Sequence, residues 1–382
     1  MIIKNGLIFG ENGCFRPGTM QIAGGVIESI FYEENVNNAL TEPRVDCIDA
    51  RGLYVIPGLV DIHLHGACGY DFCDSSLEEL EAVAEYERSQ GVTSLVPATM
   101  TLPKDTLMRV MIKLGELSEC NDVMKGITME GPFISEGKKG AQNGCYIQKP
   151  NVTLFQELQE ASGGLIRQVT VAPEIEGAVD FILEMSGETV VSLAHTEAGY
   201  ETAKEAFHAG ANHVTHLYNG MLPFGHREPG VVGAALENER VFVELICDGE
   251  HVHPTVIQAT FKMFGAKRIC MISDSMSATG MPEGEYSLGG QAVTLKGKRA
   301  TLADGSLAGA VTTLYDNLKK VVLEMQISLE EAVMACTQTP ARSLGLENCG
   351  VLAVGRKADV VLLDEELNIK YVIVSGKVRK TD

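Results

Sequence analysis

The sequence predicts an α/β protein in which a (β/α)8 barrel of the TIM type carries a small β-sandwich domain built from both chain ends. Short apolar runs alternate with amphipathic helical stretches from Tyr54 onward, which is typical of successive β-α units. Both ends of the chain show strand and turn patterns without a helical period. We therefore predict a small β domain from residues 1–53 and 350–382, with the barrel inserted over residues 54–349.

The β signals at the chain ends are short and separated by glycine turns. Residues 2–8 and 19–27 predict strands near the start, the second interrupted by a Gly24-Gly25 turn. The pattern returns at residues 355–363 and 369–378. Because the two ends share a pattern that the middle lacks, we expect one domain made from both.

Eight apolar runs predict the strands of the barrel. They end near His65, Thr99, Glu130, Pro173, His195, His216, Asp248 and Asp274. Helical periodicity predicts helices at residues 77–89, 105–117, 152–161, 177–185, 200–209, 254–264, 312–324 and 328–344. Repeated β-α units favour a closed barrel over an open doubly wound sheet. The first strand is not followed by Gly-x-Gly-x-x-Gly, which argues against dinucleotide binding.

Composition limits the classes of function. A formal net charge of −20 argues against nucleic-acid binding, although a few local cations could still hold an anionic substrate. No apolar run reaches the roughly 18 residues of a membrane span, and the first residues lack signal-peptide features. The ten cysteines are scattered without a Cys-x-x-Cys pair, so we expect a cytoplasmic protein with reduced thiols.

Ionisable residues stand at the ends of several predicted strands. Glu130, His195 and His216 each follow an apolar run, and a carboxylate there is rare unless it is paired or bound to a metal. In a barrel these ends meet at one rim, so the three side chains are expected to converge. Imidazole and carboxylate together suit a divalent metal. The alternative is a buried hydrogen bond between glutamate and histidine.

Two further histidines lie at the end of the first predicted strand. His63 and His65 alternate along the chain and should point to the same side, toward the rim. They are candidates for a second metal, or packed and hydrogen-bonded strand residues. His213 alternates with Thr215 rather than with His216, so we expect it to face the helix layer.

Several motifs resemble a known family. The segment VIPGLVDIHLHG at residues 55–66 resembles the opening motif of the amidohydrolase superfamily. EGPF at 130–133, AHT at 194–196, THLYN at 215–219, REPG at 227–230, DGEHV at 248–252 and SD at 273–274 are similar to motifs of N-acetylglucosamine-6-phosphate deacetylases. The resemblance covers essentially the whole chain, in order and spacing.

The resemblance implies a reaction and its main residues. Glu130, His195 and His216 would hold a divalent metal, and His63 with His65 would be candidates for holding a second ion. The expected ion is zinc, with iron, manganese or cobalt as alternatives. Asp274 matches the general base, which takes a proton from a metal-activated water and returns one to the leaving amine. The implied reaction converts N-acetylglucosamine 6-phosphate to glucosamine 6-phosphate and acetate. The alternative role for Asp274 is an N-cap.

The resemblance also implies substrate contacts. They come from Gln142, Asn219, Gly220, Arg227, His251, Leu307, Ala308 and Gly309. Arg227 and His251 would bind the phosphate, with Arg227 reaching the site of the partner subunit in a homodimer. Without that role Arg227 would be an ordinary surface charge.

Three departures from the family keep alternatives open. Gln142 stands where the family commonly has histidine, Gly220 stands where alanine is usual, and the pair His63 and His65 is missing from some members. A deacetylase of another sugar phosphate, such as N-acetylgalactosamine 6-phosphate, is the first alternative. A cyclic-amide hydrolase is disfavoured, because such members often carry lysine where Glu130 stands. A protein that binds an amino-sugar phosphate as a sensor, without turnover, would lack the catalytic base or a metal ligand. Asp274, His195 and His216 are all present in this sequence.

Overall fold

The computed structural model describes residues 1–32 and 46–379, and its centre is a barrel of eight parallel strands. All eight are short and almost wholly buried, as expected for strands covered by helices on the outside. In chain order they are Leu59–Asp61, Val92–Leu95, Ile127–Met129, Ile166–Val171, Val190–Leu193, His213–Val214, Phe242–Ile246 and Ile269–Ile272.

Parallel pairing brings the carboxyl ends of all these strands to one rim. The first two strands pair with each other, and strands three to eight form one continuous sheet. Isolated bridges Leu95↔Met124 and Ala98↔Thr128 join the second strand to the third. Beside the eighth strand, the Asp274 N–H donates to the His63 carbonyl at 3.0 Å. The closure explains why residues distant in sequence share one pocket, and the predicted fold class is confirmed.

Ten α-helices lie in the described part of the chain. They are Leu77–Ser89, Lys104–Cys120, Val152–Ala161, Ala178–Met185, Tyr200–Ala209, Gly230–Glu237, Pro254–Phe264, Leu314–Leu323, Leu329–Cys336 and Gln338–Ser343. The first begins at a capping box, in which Ser76 and Glu79 satisfy each other's backbone N–H groups. None of these helices is long and apolar enough to cross a membrane.

The structure departs from the predicted elements most clearly in three places. The helix expected over residues 328–344 is interrupted at Thr337, because Pro340 has no N–H to continue the ladder to Cys336. Gly230–Glu237 was not expected to be helical, since its glycines and valines are weak helix formers. Each barrel strand ends one to four residues before the predicted end, so the functional side chains stand on the first loop residues.

An eight-stranded sheet joins both ends of the described chain. Its strands are Ile2–Phe9, Phe15–Ala23, Val26–Tyr32, Cys47–Asp49, Tyr54–Pro57, Val360–Leu363, Ile369–Val374 and Lys377–Arg379. Tyr54–Pro57 links the halves, pairing in parallel with Ile2–Phe9 and antiparallel with Val360–Leu363. The predicted limits 1–53 and 350–382 stay a prediction, and residues 33–45 and 380–382 lie outside the described residues.

A small antiparallel sheet follows the eighth barrel strand. Its strands are Gly284–Leu288, Gln291–Lys296 and Arg299–Thr301, which the sequence pattern did not predict. The backbone N–H of Gly289 donates to Asp71 at 2.9 Å, and the Gln291 amide donates to the Ala141 carbonyl. Asp71 ends the hairpin Gly66–Ala67 and Tyr70–Asp71 beyond the first barrel strand. These bonds hold the small sheet beside the loops at the barrel rim.

Candidate active site

Glu130 lies at the centre of a histidine cluster on the barrel rim. It follows the third strand, and its carboxylate is buried. Its Oε1 lies 2.9 Å from Nε2 of His195 and 2.9 Å from Nε2 of His216, which follow the fifth and sixth strands. The two histidine Nε2 atoms are 3.2 Å apart. Convergence of these three side chains was predicted from their positions at strand ends.

The hydrogen bonds of the two histidines fix which ring nitrogen carries the proton. Nδ1 of His195 faces the Lys138 carbonyl at 2.8 Å, and Nδ1 of His216 faces the Asn219 carbonyl at 3.2 Å. Carbonyl oxygens only accept hydrogen bonds, so each Nδ1 is the protonated donor. In the neutral form of each ring, the Nε2 lone pair therefore faces the Glu130 carboxylate. Lone pairs facing a carboxylate fit a bound cation, which both donors can ligate.

The backbone at the rim is in an uncommon conformation. His195, His216 and Asp274 have φ values of 45°, 30° and 50°, in the left-handed region that side chains other than glycine rarely adopt. Such strain persists where the surroundings enforce it and is concentrated at functional sites. The positive φ turns the chain out of the strand at the residue whose side chain belongs to the cluster.

A second group of ionisable side chains adjoins the first. His65 Nε2 lies 3.3 Å from Glu130 Oε2 and 3.4 Å from Asp274 Oδ1. His63 Nε2 lies 3.7 Å from each of the same two oxygens. Glu130 therefore presents one oxygen to each group. The ligand atoms of His63, His65 and Asp274 lie within 4.8 Å of one another, as do those of Glu130, His195 and His216.

The protonation of this cluster reflects burial and opposite charge. Burial alone would raise the pKa of Glu130, but His63, His195 and His216 hold it well below the usual value. Burial also works against the charge of Asp274, yet His65 and its neighbours lower that pKa. Burial opposes a charge on His65 as well, but Asp274 and Glu130 raise its pKa to about 9. Both carboxylates thus carry negative charge that histidines or a cation must balance.

The cluster forms one wall of a cavity of about 230 Å³. Such a volume lies near the lower end of small-molecule sites, which span about 300–1,000 Å³, and favours a small ligand over a polymer. The lining residues are His65, Met100, Glu130, Gly140, Ala141, Gln142, His195, His216, Asn219, Gly220, His251, Asp274, Leu288, Ser306, Leu307 and Gly309.

Most of the candidate residues from the sequence line this cavity, and three do not. His63 lies behind His65 with its side chain fully buried. Ala308 is also fully buried, between the lining residues Leu307 and Gly309. Arg227 is exposed and is absent from the lining of this chain's own cavity.

Gln142 and His251 are both held by hydrogen bonds at the cavity. Nε2 of Gln142 donates to Glu130 Oε2 at 2.8 Å, while its Oε1 accepts from the Thr101 N–H at 2.6 Å. Nδ1 of His251 lies 2.7 Å from Asp248 Oδ2. Because Asp248 holds Nδ1, the ring of His251 is oriented with Nε2 left for a ligand. The side-chain amide of Asn219 donates hydrogen bonds to the carbonyls of His216 and Leu217, which stabilises the turn that contains these three residues.

Sequence reasoning missed some residues of the site. Met100, Gly140 and Ala141 lie in loops and Leu288 ends the strand Gly284–Leu288, and their approach to the cavity depends on the fold. Glu244 was also missed, although a glutamate inside the apolar run Phe242–Ile246 was a readable signal. The expectation for His213 was wrong. His213 lies 3.5 Å from Glu244, which contacts His63 inside the barrel, so His213 also faces the barrel interior.

Comparisons with known proteins agree on one family. The model of the Amidohydrolase family matches residues 54–379. The N-acetylglucosamine-6-phosphate deacetylase of Bacillus subtilis (strain 168) is 33% identical, over 99% of this chain and 96% of the relative. The N-acetylgalactosamine-6-phosphate deacetylase of Escherichia coli O157:H7 is 32% identical, over 96% of each. A mutant N-acetyl-D-glucosamine-6-phosphate deacetylase from Mycobacterium smegmatis, solved with N-acetyl-D-glucosamine-6-phosphate, superposes with a TM-score of 0.91 at 32% identity, covering 99% of this chain and 98% of the other.

Proposed function

The chain belongs to the amidohydrolase family, and we propose that it hydrolyses N-acetylglucosamine 6-phosphate to glucosamine 6-phosphate and acetate. The observation that carries the proposal is the meeting of His195 and His216 at Glu130, beside Asp274 and on the wall of one small cavity. The relative from Bacillus subtilis and the ligand-bound structure from Mycobacterium smegmatis supply the substrate.

Glu130, His195 and His216 would hold one divalent cation, and His63, His65 and Asp274 would hold a second. The two oxygens of Glu130 face one group each, which supports a bridging role for this carboxylate. Nitrogen and carboxylate donors suit zinc, our first choice, as well as iron, manganese or cobalt. When bound, such a cation supplies Lewis acidity toward the amide carbonyl and lowers the pKa of water.

Asp274 performs the proton transfers of the proposed reaction. Its carboxylate lines the cavity and accepts a proton from the attacking water as the carbon–oxygen bond forms. It then returns a proton to the sugar nitrogen as the carbon–nitrogen bond breaks, since an amide nitrogen leaves poorly unless it is protonated. The products are the free amine and acetate.

Residues around the cavity orient the sugar phosphate. His251, held by Asp248, offers its remaining nitrogen to the phosphate, and Asn219 with Gly220 lies next to the histidine cluster. Leu307 and Gly309 line the cavity, with Ala308 packed between them. Arg227 is exposed on its own chain, which supports a role at the site of a partner subunit in a homodimer.

A second candidate substrate is N-acetylgalactosamine 6-phosphate. The favouring observation is Gln142, which stands where histidine is common and is bound to Glu130 at the cavity wall. The relative from Escherichia coli O157:H7 is named for that activity. For the compartment we propose the cytoplasm, where the thiols of Cys73, Cys247 and the other buried cysteines would stay reduced.

The test is the release of glucosamine 6-phosphate by the purified protein before chelation, after chelation and after metal is added back. Turnover that is lost with the chelator and restored by metal is the expected result. N-acetylgalactosamine 6-phosphate is assayed in parallel, and a higher kcat/KM for that epimer would replace the proposed substrate. Absence of turnover on both substrates with zinc, iron, manganese and cobalt would overturn the proposal.

A further inference from the structure

Glu244 is a fully buried carboxylate inside the barrel that the proposed reaction does not use. It lies in the seventh barrel strand, Phe242–Ile246, where the neighbouring side chains are apolar. Its Oε2 lies 3.0 Å from Nδ1 of His63, and its Oε1 accepts from Nε2 of Gln168 at 2.6 Å. A buried carboxylate is costly unless it is paired and hydrogen-bonded, so these contacts are what retain it there.

Both oxygens of Glu244 act as hydrogen-bond acceptors. Besides the Gln168 amide, the backbone N–H of His216 points to Oε2 at 3.4 Å. His213 Nδ1 lies 3.5 Å from Oε1, a distance that permits an ion pair, but the two atoms do not form a hydrogen bond. Because an ionised carboxylate only accepts, Nδ1 of His63 must carry a proton.

The contact with Glu244 determines what the other nitrogen of His63 can do. Nε2 is fully buried and has no hydrogen-bond partner in residues 1–32 and 46–379. It lies 3.7 Å from Glu130 Oε2 and 3.7 Å from Asp274 Oδ1. In the neutral ring the lone pair of Nε2 faces both carboxylates, and a cation between them would balance their negative charge.

The four histidines of the cluster are supported differently. Nδ1 of His195 and of His216 is held by a backbone carbonyl, whereas Nδ1 of His65 has no hydrogen-bond partner in the described chain. Only His63, of these four, has a carboxylate behind the ring. A carboxylate behind a ligand histidine fixes the ring and raises the basicity of the nitrogen that binds the metal.

We infer that Glu244 is a positioning residue for a cation bound by His63, His65 and Asp274, acting through the Nδ1 hydrogen bond to His63. The inference rests on the proposed metal-dependent function. Glu244 sets the affinity of this second position, while the cation at Glu130, His195 and His216 is held without it. Glu244 therefore determines whether the protein retains one ion or two, although Glu244 itself is not a ligand of either ion.

The test measures metal content rather than activity. Wild type, Glu244→Leu and Glu244→Gln are dialysed against zinc buffered at a series of free concentrations, and zinc per chain is determined by mass spectrometry. Leucine has a similar size but accepts no hydrogen bond. Glutamine keeps an acceptor for His63 but loses the charge, and Gln168 can turn its amide to match. Ser192→Ala is the control, since Ser192 is a buried polar residue of the fifth strand whose hydroxyl bonds that of Thr215.

We expect wild type and Ser192→Ala to bind two ions per chain. In Glu244→Leu the second ion should bind 10- to 100-fold more weakly, with Glu244→Gln losing about tenfold, while the first ion is retained. A purely structural role would lower the melting temperature without separating the two binding steps. If Glu244→Leu does not fold, Glu244→Gln decides by the same measurement.

Two outcomes would overturn the inference, and they are distinguishable. A wild-type protein that holds two ions, with Glu244→Gln and Glu244→Leu holding both as tightly, would overturn the role of Glu244 and leave the proposed function standing. A wild-type protein that holds a single ion whose affinity is unchanged in His63→Asn would remove the second site itself. The inference would then fail together with the two-ion part of the proposed function.

Discussion

The side-chain amide of Gln142 donates a hydrogen bond to Oε2 of Glu130 at 2.8 Å, and this links a departure from the family pattern to the proposed metal centre. Oε1 of Gln142 accepts from the buried Thr101 N–H at 2.6 Å, so both ends of the amide are engaged. In this structure Gln142 orients the carboxylate that faces both histidine groups. A substrate contact by Gln142 would use the second hydrogen of its amide nitrogen. That nitrogen lies 3.5 Å from the Met100 sulfur.

Replacing Gln142 with alanine should destabilise the protein. The change leaves the Thr101 N–H without its partner and removes one donor to Glu130, and a buried unpaired group costs about 1–3 kcal/mol. Urea unfolding of wild type and Gln142→Ala measures the loss. Gln142→His is the matched comparison, because histidine keeps one donor. Equal stability of the alanine variant and the wild type would contradict the bonding described here.

Substituting Asp274 with asparagine should remove turnover while sparing binding. Asparagine has nearly the same shape but cannot accept the proton, and general acid–base catalysis contributes about 10²- to 10⁴-fold. We expect kcat to fall by that factor, with the dissociation constant for N-acetylglucosamine 6-phosphate changed by only a few fold. Asp105→Asn, at an exposed position of the helix Lys104–Cys120, controls for the loss of one charge. A kcat near that of wild type in Asp274→Asn would show that the base is another group.

Zinc should stabilise the folded protein through His195. A ligand that binds only the folded state at 100 times its dissociation constant adds about 2.7 kcal/mol to the free energy of unfolding. Thermal unfolding of the chelated protein, with and without zinc, measures this gain. In His195→Asn the gain should shrink, because one ligand of the first group is lost. His208→Asn, an exposed histidine in the helix Tyr200–Ala209, should respond to zinc as wild type does.

Glu87 should make the protein less stable as the pH rises. It lies in the helix Leu77–Ser89 with its side chain fully buried, and neither oxygen has a hydrogen-bond partner in the described chain. Burial, and then the charge of Asp61, raises its pKa well above the usual value. The unfolded chain releases this proton near pH 4.3, whereas the folded protein keeps it to higher pH. The unfolded state then binds fewer protons, so this residue lowers stability as the pH increases above that value.

Glu87→Leu should therefore stabilise the protein, and more so at pH 8 than at pH 5. Replacing a buried group without partners by an apolar one of similar size should add about 1–3 kcal/mol. Chemical unfolding at both pH values measures the difference from wild type. Glu78→Leu, an exposed position in the same helix, should show little pH-dependent change. A loss of stability in Glu87→Leu at pH 8 would mean that Glu87 has a stabilising partner.

Features that depend on local sequence were predicted closely. The helices Leu77–Ser89, Val152–Ala161, Tyr200–Ala209 and Pro254–Phe264 have the predicted bounds, because periodicity and capping are set by neighbouring residues. The order of strands and helices also predicted a barrel, and the barrel predicted that Glu130, His195 and His216 would meet. The reason is general, since the carboxyl ends of parallel barrel strands meet at one rim.

Only the tertiary structure decided which side chains touch behind and around that rim. Glu244 and His63 are far apart in the chain, and their contact depends on how the seventh strand aligns with the residues after the first. His213 also points toward Glu244, because its strand ends at Val214 and the alternation does not extend to His216. The alternating pattern specifies which residues share a face of a strand. The stagger between strands, set by closure of the whole barrel, specifies which of those faces meet, and no single segment encodes it.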